Sequence, residues 1–224
     1  MARATVGRDV YFGRQVRRPV THVGGNPETG YGGWALYGGA LSPESVVYSV
    51  GIGDDVSFDL DLVRRYGVRV HAFNPTPEAL RWLERQTLPS GFVAHGLGLA
   101  GYDGVARFHA QRNPEWISHS VFPSAATLAE AVELPVRRLR TLMDALGHDR
   151  VDVLKMDIEG SEYDALDEIV RSGADVRQLL VEFHHRFDGV GPERTRRAVE
   201  QLNAAGFRIF HVSARGEEYS FVRV

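Results

Sequence analysis

Short apolar runs alternate with amphipathic segments along most of the chain. From residue 45 onward, runs rich in β-branched and aromatic residues predict strands, and apolar residues that recur every three or four positions predict helices. The predicted strands cover residues 46–50, 68–73, 92–94, 132–136, 151–156, 178–183, 207–212 and 219–224. The predicted helices cover residues 58–66, 77–85, 139–146, 163–172 and 192–205. Strands that alternate with helices indicate an α/β domain with a mostly parallel sheet.

Two pairs of apolar runs are predicted to form hairpins. Residues 97–99 and 105–110 flank a glycine-containing turn at residues 101–104, and the last two strands flank Arg215-Gly216. The second hairpin would close the chain with at least one antiparallel strand. Residues 111–124 show neither period and are predicted to be irregular.

The first 44 residues have a different character from the rest. Residues 1–24 carry five arginines and one aspartate, and residues 24–40 are rich in glycine and include Tyr31, Trp34 and Tyr37. We predict two parts, an N-terminal arm with a glycine- and aromatic-rich lid segment (1–44) and a main domain (45–224).

The composition excludes several classes of function. The chain has 224 residues, a formal net charge of −3 and no cysteine, so disulfides and thiolate chemistry are excluded. The charge gives no reason to expect a nucleic-acid partner. No apolar run approaches the roughly 18 residues that span a membrane, and the N-terminus lacks the apolar stretch of a secretory signal. We therefore expect a cytoplasmic protein with a small-molecule partner and no membrane partner, and self-association into a homo-oligomer is left open.

Charged residues crowd the end of the strand predicted at residues 151–156. Lys155 is the only lysine, whereas the other 25 of the 26 basic residues are arginine. Asp157, Glu159 and Glu162 follow within six residues. Open α/β sheets bind ligands at the carboxyl ends of their strands, so this segment is the leading candidate for the site. Lys155 pairs structurally with Asp157, or it orients the carboxylates around a substrate.

Gly51-Ile52-Gly53 lies between the first strand and the first helix of the main domain. Glycines there let the backbone approach a ligand closely, next to the free N–H groups of a helix N-terminus. A dinucleotide-binding fingerprint requires a small residue at position 56, where this chain has Val56. The motif therefore favours a nucleoside cofactor without a pyrophosphate, such as S-adenosylmethionine, over NAD.

Four further residues complete the predicted site. Asn74 ends the second strand, where nucleoside-binding folds carry an acidic residue for the ribose. Glu182 and His184 share one face at the end of the fifth strand of the sheet. With Asp157 they form either an acid/base set or an oxygen/nitrogen metal site, and we expect no metal. His119, in the irregular segment, borders the substrate or an ordinary loop.

These residues resemble those of the FkbM-type methyltransferases. The resemblance lies in residues 47–58, 72–77, 153–163 and 181–184. It implies the Rossmann-like class I methyltransferase fold, with a mostly parallel seven-stranded sheet and an antiparallel C-terminal hairpin strand. It also implies S-adenosyl-L-methionine as cofactor and O-methylation of a sugar or natural-product hydroxyl. Gly51, Gly53 and Asp55 would then lie by the methionine part of the cofactor, Asn74 by the ribose, and the segment from His95 to Leu97 by the adenine.

The sequence therefore predicts an S-adenosylmethionine-dependent O-methyltransferase. Its predicted catalytic residues are Asp157, Glu159 and His184, with Asp157 as positioner and His184 as the group that takes the proton. Lys155 and His119 are predicted to contact the substrate. The family usually has an acidic residue where this chain has Asn74, so Asn74→Asp is expected to tighten cofactor binding.

Two alternatives remain open at this stage. One is a catalytically weak or inactive nucleoside-binding module of the same fold, of which Asn74 would be the mark. The other is an NAD-dependent oxidoreductase, which Val56 disfavours.

Overall fold

The computed structural model describes residues 12–111, 119–121, 127–187 and 189–224. Its strands are, in chain order, β1 (Thr21–Val23), β2 (Trp34–Leu36), β3 (Val46–Val50), β4 (Arg69–Phe73), β5 (Phe92–His95), β6 (Gly98–Leu99), β7 (Gly104–Gln111), β8 (His119–Ser120), β9 (Thr127–Arg137), β10 (Arg150–Met156), β11 (Asp175–Glu182), β12 (Phe207–Val212) and β13 (Glu218–Arg223). Its helices are α1 (Ser57–Tyr66), α2 (Pro77–Leu83), α3 (Leu139–Leu146), α4 (Glu162–Ser172) and α5 (Pro192–Ala204), and Gly38–Ala40 form a short 3-10 turn.

The central sheet has seven strands in the order β12-β13-β11-β10-β3-β4-β5. Neighbours from β11 to β5 are parallel, whereas β13 runs antiparallel to both β11 and β12. The predicted α/β class and the predicted terminal hairpin are both confirmed, and the sheet as a whole is mixed. Chain order runs outward from β3 to β5 and then resumes at β10 on the other side of β3. The topological switch point therefore lies between β3 and β10, where open α/β sheets bind ligands.

The hairpin predicted at residues 97–99 and 105–110 is wrong. β6 and β7 do not pair with each other, because β9 lies between them, parallel to β6 and antiparallel to β7. The eleven-residue β9 offers β7 a much longer ladder than the two-residue β6 could. These strands and β8 form a second, four-stranded sheet. His119 thus lies in a strand, whereas the sequence predicts that it lies in an irregular segment. Most of that segment, residues 111–124, lies outside the described residues.

The segment before β3 packs against the main domain. β1 and β2 form an antiparallel pair, and Val23, Trp34 and Leu36 share a core cluster with Phe58 and Leu62 of α1. The hydroxyl of Ser220 also donates a hydrogen bond to the carbonyl of Ala35 (2.7 Å). The expected packing of lid aromatics holds for the buried Trp34, whereas Tyr31 is 66% exposed. Residues 1–11 of the predicted arm lie outside the described part, and the division at residue 44 stays a prediction.

Apolar side chains cover both faces of the central sheet. On one face, Leu154 and Met156 pack with Tyr163, Leu166 and Ile169 of α4. Val153 of the same strand contributes to the cluster on the other face. The helical spacing of the α4 residues therefore marks a buried face, as predicted. Among the described residues, no helix has the length and apolar character needed to cross a bilayer.

A network of neutral histidines lies on β4 and its neighbours. The rings of His71 and His95 stack, with Nδ1 and Nε2 3.0 Å apart, and the hydroxyl of Tyr48 lies 2.8 Å from Nδ1 of His148. Burial, with the charges that His148, His95 and Arg69 carry when protonated, lowers the pKa of His71 to about 4. Burial also lowers the pKa of His95 and of His148. The network is therefore uncharged at neutral pH.

Acid should destabilise the protein through His71. Because folding lowers the pKa of His71 from 6.5 to about 4, its contribution to stability is present above pH 6.5 and is lost as the pH falls through 4. Between pH 7 and pH 4.5 the free energy of unfolding should fall by about 1 kcal/mol more in the wild-type protein than in His71→Phe. This value is reduced from the full pKa shift because solvent screens the half-buried ring. Thermal melts of both proteins across this range measure it. Parallel pH profiles for the two proteins would rule out His71 as the responsible group.

Candidate active site

One cavity of about 820 Å³ lies over the carboxyl ends of the strands at the switch point. Its wall includes most of the residues that the sequence singles out, namely Gly51, Gly53, Asp55, Asn74, His119, Lys155, Asp157, Glu159 and Glu182. Residues from the lid segment also line it, among them Tyr31 and Trp34. The structure thus brings the two predicted groups, glycines and carboxylates, to one site.

Gly51 and Gly53 are glycines for different reasons. Gly51 has a φ of +81°, and a Cβ there would lie 1.6 Å from the backbone carbonyl oxygen of Asp157. Its lack of a side chain lets the backbone after β3 lie against the backbone after β10. A Cβ on Gly53 would meet no protein atom within 4 Å. Protein packing does not require a glycine at position 53, and the open space beside it is available to a ligand.

Asn74 is held in one orientation by its neighbours. Its Oδ1 accepts hydrogen bonds from both the backbone N–H and the hydroxyl of Thr76 (2.8 Å each), and its Nδ2 donates to the carbonyl of Ile52. Because the Thr76 N–H can only donate, it fixes which end of the amide is the oxygen. A carboxylate at position 74 would place an oxygen against the Ile52 carbonyl oxygen. The geometry therefore reverses the effect expected of Asn74→Asp.

Asp55 and the lid segment meet at the mouth of the cavity. Oδ1 of Asp55 accepts the backbone N–H of Ser57 at the start of α1 (2.6 Å). A Cβ on Gly32 would come within 2.3 Å of Oδ2 of Asp55, so the lid backbone rests directly on this carboxylate. The predicted ligand contact of Asp55 is compatible with its place in the cavity wall.

His95 and Leu97, expected to approach the adenine, are not among the residues that line the cavity. The His95 ring stacks on Phe73, with centroids 4.6 Å apart, and on His71. Leu97 packs against the main core. Gly98 and Leu99, immediately after them, do line the cavity. The short strand β6 shifts the contact by one to three residues, a displacement that the apolar pattern could not show.

Lys155 lies beneath the Gly51 loop. Its Nζ donates a hydrogen bond to the carbonyl of Gly51 (3.0 Å), lies 3.9 Å from Oδ2 of Asp157, and is 5.4 Å from the centre of the Trp34 ring. Nearby, burial raises the pKa of Asp59 to about 6, against the opposing effect of the Lys155 charge. Lys155 thus braces the floor of the site. A compact ammonium fits this enclosed position better than a forked guanidinium would.

The acidic end of the cavity is built around a buried histidine. His184 is only 9% exposed, and its Nε2 lies 3.6 Å from Oδ1 of Asp157 and 3.8 Å from Oε2 of Glu159. On its other side, Nδ1 lies 3.3 Å from Oε1 of the fully buried Glu162. Glu162 also accepts the backbone N–H groups of His184 and Gly160 (2.9 Å each). Glu162 therefore holds the main chain at His184 by a hydrogen bond and places a carboxylate beside its ring.

These surroundings change the expected role of His184. Burial by itself would lower the pKa of His184, but the carboxylates of Glu162, Asp157 and Glu159 outweigh burial and raise it to about 10. Without a ligand, His184 therefore carries a proton at neutral pH, and the prediction that it takes the acceptor's proton does not fit. Burial, together with the charge of Asp157, raises the pKa of Glu182.

Glu159 occupies a strained turn between β10 and α4. Its φ of +51° lies in the left-handed region, which is uncommon for a residue with a side chain. Its carbonyl accepts a hydrogen bond from the hydroxyl of Ser120 (3.0 Å), so the second sheet helps to hold this backbone. Such strain is concentrated at functional sites. Next to Ser120, His119 lies in the cavity wall with its Nε2 3.7 Å from Oε2 of Glu78.

Glu162 and Asp59 are parts of the site that sequence reasoning missed. An acidic residue in the first turn of a helix is ordinarily explained by the helix dipole and solvent, and both residues lie there. Nothing in the apolar pattern marks either as buried. The one usable signal is that Glu162 is the third carboxylate within six residues of a buried strand.

The profile described as "Methyltransferase FkbM domain" matches residues 45–209. The chain belongs to the FkbM methyltransferase family. Residues 45–209 thus form a methyltransferase domain, and S-adenosyl-L-methionine is the cofactor that such a domain uses. The crystal structure of methyltransferase FkbM from Methylobacillus flagellatus KT has the same α/β fold of class I methyltransferases, with a TM-score of 0.52 and 18% identity. That match covers 84% of this chain and 46% of the other.

Two relatives by sequence show how partial the likeness is. "Probable methyltransferase-like protein 24" of Rattus norvegicus is 24% identical over 176 residues, which are 74% of this FkbM-type chain and 42% of the rat protein. "AMB antimetabolite synthetase AmbE" of Pseudomonas aeruginosa is 34% identical over 82 residues, 36% of this chain and 4% of that protein. The chain therefore spans less than half the length of these relatives.

The cavity of this FkbM-type methyltransferase fits the cofactor. The open space beside Gly53 admits a close approach of the ligand to the backbone after β3. Asp55 at the start of α1 and Asn74 at the end of β4 lie in the same wall. The contacts that the resemblance implies, of Gly51, Gly53 and Asp55 with the methionine part and of Asn74 with the ribose, stay predictions.

The two glycines should respond differently to alanine. Gly51→Ala should destabilise the protein by at least about 2 kcal/mol, because its Cβ would overlap the Asp157 carbonyl. Gly53→Ala should change stability by less than about 0.5 kcal/mol and weaken S-adenosylhomocysteine about tenfold. Thermal melts and calorimetric titration measure the two effects, with NAD as a ligand that should not bind. Unchanged affinity in Gly53→Ala would exclude a close cofactor contact at that residue.

Asn74→Asp should weaken S-adenosylhomocysteine rather than tighten it. Loss of the Nδ2 donor leaves the buried Ile52 carbonyl facing another acceptor, a cost of about 1–3 kcal/mol. We expect roughly tenfold weaker binding and a lower melting temperature, measured by the same two methods. Asn74→Asp with tighter binding and an unchanged melting temperature would contradict this account of Asn74.

Proposed function

We propose that this methyltransferase transfers the methyl group to a hydroxyl of a small molecule, a sugar or natural product. The observation that carries the proposal is the acidic end of the cavity, where Asp157, Glu159 and Glu182 surround His184. A hydroxyl donates hydrogen bonds to carboxylates. An amine beside several carboxylates would keep its proton and lack a free lone pair, and a carboxylic acid acceptor would be repelled. Hydroxyl acceptors therefore suit this cavity best.

The size of the cavity supports a small acceptor. Sites for small molecules enclose ~300–1,000 Å³, and this cavity has about 820 Å³. Tyr31, mostly exposed in the lid segment, lies in its wall and offers an aromatic surface to a sugar or a polyketide-like ring. A natural-product substrate is also in line with the partial likeness to an antimetabolite synthetase.

The residues of the chain would hold and deprotonate the acceptor. S-adenosylmethionine supplies an electrophilic methyl group on a sulfonium leaving group. Asp157 and Glu159 accept hydrogen bonds from the acceptor's hydroxyl and aim its oxygen along the line of displacement. The hydroxyl proton passes to one of these carboxylates as the new oxygen–carbon bond forms. The charge of protonated His184, whose Nε2 lies 3.6 Å from Asp157 and 3.8 Å from Glu159, attracts both carboxylates.

The alternative function, an inactive nucleoside-binding module that has lost its cofactor, is suggested only by Asn74. In the structure Asn74 makes three hydrogen bonds in the cavity wall. These bonds explain an asparagine at position 74 by contacts within the protein, so Asn74 is not by itself evidence for a lost cofactor site.

Matched acceptors test the proposed chemistry. Hexoses, hexosamines and uronic acids of the same skeleton, with alcohols of natural-product type, are incubated with labelled S-adenosylmethionine, and the products are located by mass spectrometry. We expect methyl ethers. Asp157→Asn should lower kcat at least about a hundredfold with the fold intact, whereas Asp167→Asn, the same change on the exposed face of α4, should not. Methylation confined to amino or carboxyl groups would refute the proposal.

A further inference from the structure

Three side chains from two neighbouring strand ends converge at the acidic end of the cavity, where Asp157 and Glu182 line the wall and His184 is buried outside that lining. An oxygen of Asp157, an oxygen of Glu182 and a ring nitrogen of His184 all lie within 4.8 Å of one another. Asp157 follows β10, whereas Glu182 is the last residue of β11 and His184 lies two residues after it. These strands are adjacent and parallel, so the sheet itself sets the spacing of the three groups.

The converging atoms have no hydrogen-bond partners in the described part of the chain. Nε2 of His184 has carboxylate oxygens at 3.6 and 3.8 Å, beyond hydrogen-bond distance. The carboxylate of Asp157 has Nζ of Lys155 only at 3.9 Å. His184 is more than nine-tenths buried. The buried imidazole therefore faces two carboxylate oxygens without a hydrogen bond to either of them.

A carboxylate lies on the opposite side of the His184 ring. Histidines that bind metals ordinarily donate their second ring N–H to a carboxylate, which fixes the tautomer and the ring plane. Oε1 of Glu162 lies on that side, 3.3 Å from Nδ1 of His184 but not in hydrogen-bonding geometry, and two backbone N–H groups hold its carboxylate. A small rotation of the ring would make this bond, with Nε2 facing Asp157 and Glu159.

We propose that Asp157, Glu182 and His184 bind one divalent first-row metal ion. Two carboxylates and an imidazole form an oxygen/nitrogen set that suits Mn²⁺ and related borderline ions. Three protein ligands leave further positions for water or for acceptor oxygens. The position therefore also suits activation of a hydroxyl, whose pKa a metal lowers. This role rests on the proposed O-methyl transfer, whereas the existence of the site does not.

The charge of the cavity favours a cation at this point. The carboxylates of Asp157, Glu159, Glu162, Glu182 and Glu218 lie on or beside this end. Among the described residues that line the cavity, the lysine and arginine side chains are Lys155 and Arg215. A metal ion would relieve the repulsion between the carboxylates of Asp157 and Glu182. The proposal departs from the metal-free site that the sequence led us to expect.

Manganese binding tests the site without a known acceptor. The full-length protein is stripped with EDTA and titrated with Mn²⁺, and free Mn²⁺ is followed by electron paramagnetic resonance. We expect one saturable site. Asp157→Asn and Glu182→Gln should each weaken it at least about tenfold. Asp54→Asn, a change of the same charge at an exposed position of the same cavity, should stay within about threefold.

S-adenosylhomocysteine binding, measured on the same samples, separates the two proposals. If the wild-type protein binds S-adenosylhomocysteine but shows no saturable Mn²⁺ site, the metal proposal is overturned and O-methylation stands. Equal Mn²⁺ affinity in all four proteins overturns it as well. Saturable Mn²⁺ binding that both ligand variants lose supports the site, even if no hydroxyl compound is methylated. Melting temperatures confirm that the variants are folded.

Discussion

The contact between the backbones that follow β3 and β10 determines the rest of the site. Gly51 lies so close to the carbonyl of Asp157 that no side chain fits between them. The N–H of Asp157 donates to the carbonyl of Val50 (3.1 Å), and the N–H of Gly51 donates to the carbonyl of Phe73 (3.0 Å). These two hydrogen bonds join the ends of β10, β3 and β4 side by side. Because Asp157 takes part in them, its carboxylate has a fixed position relative to the cavity wall.

A second constraint is electrostatic and lies one layer deeper. Glu162, with no exposed surface, joins the first turn of α4 to the end of β11 through its bonds to Gly160 and His184. An unpaired buried carboxylate is costly, and two backbone donors and an imidazole offset that cost. The same arrangement raises the pKa of His184 and sets its ring against Asp157. Glu162 therefore both stabilises the backbone of the site and controls the charge of His184.

Much of the fold could be predicted from the sequence because parallel strands and amphipathic helices have distinct periods. The strands at residues 46–50 and 151–156 and the cap at Gly173 agree with the structure. The pairing of β6 and β7 could not be predicted, because a long partner from later in the chain separates them. Local spacing carries no information about such a competitor.

Site residues that lie at strand ends could be predicted from the sequence. Charge states and hydrogen-bond partners that depend on burial could not. Asp157, Glu182 and His184 were brought together by adjacency of their strands. The charge state of His184 depends on Glu162, which looks like a surface residue in the sequence. Asn74 depends on Thr76 and Ile52, two neighbours whose hydrogen bonds no apolar pattern encodes.

The position of Lys155 has a practical consequence. The single ε-amino group among the side chains is 6% exposed and lies under the floor of the cavity. Acylating reagents that target lysine must therefore enter the cavity to reach it. The rate of acylation at this one residue reports how accessible the floor of the cavity is, and mass spectrometry reads it without any engineered label.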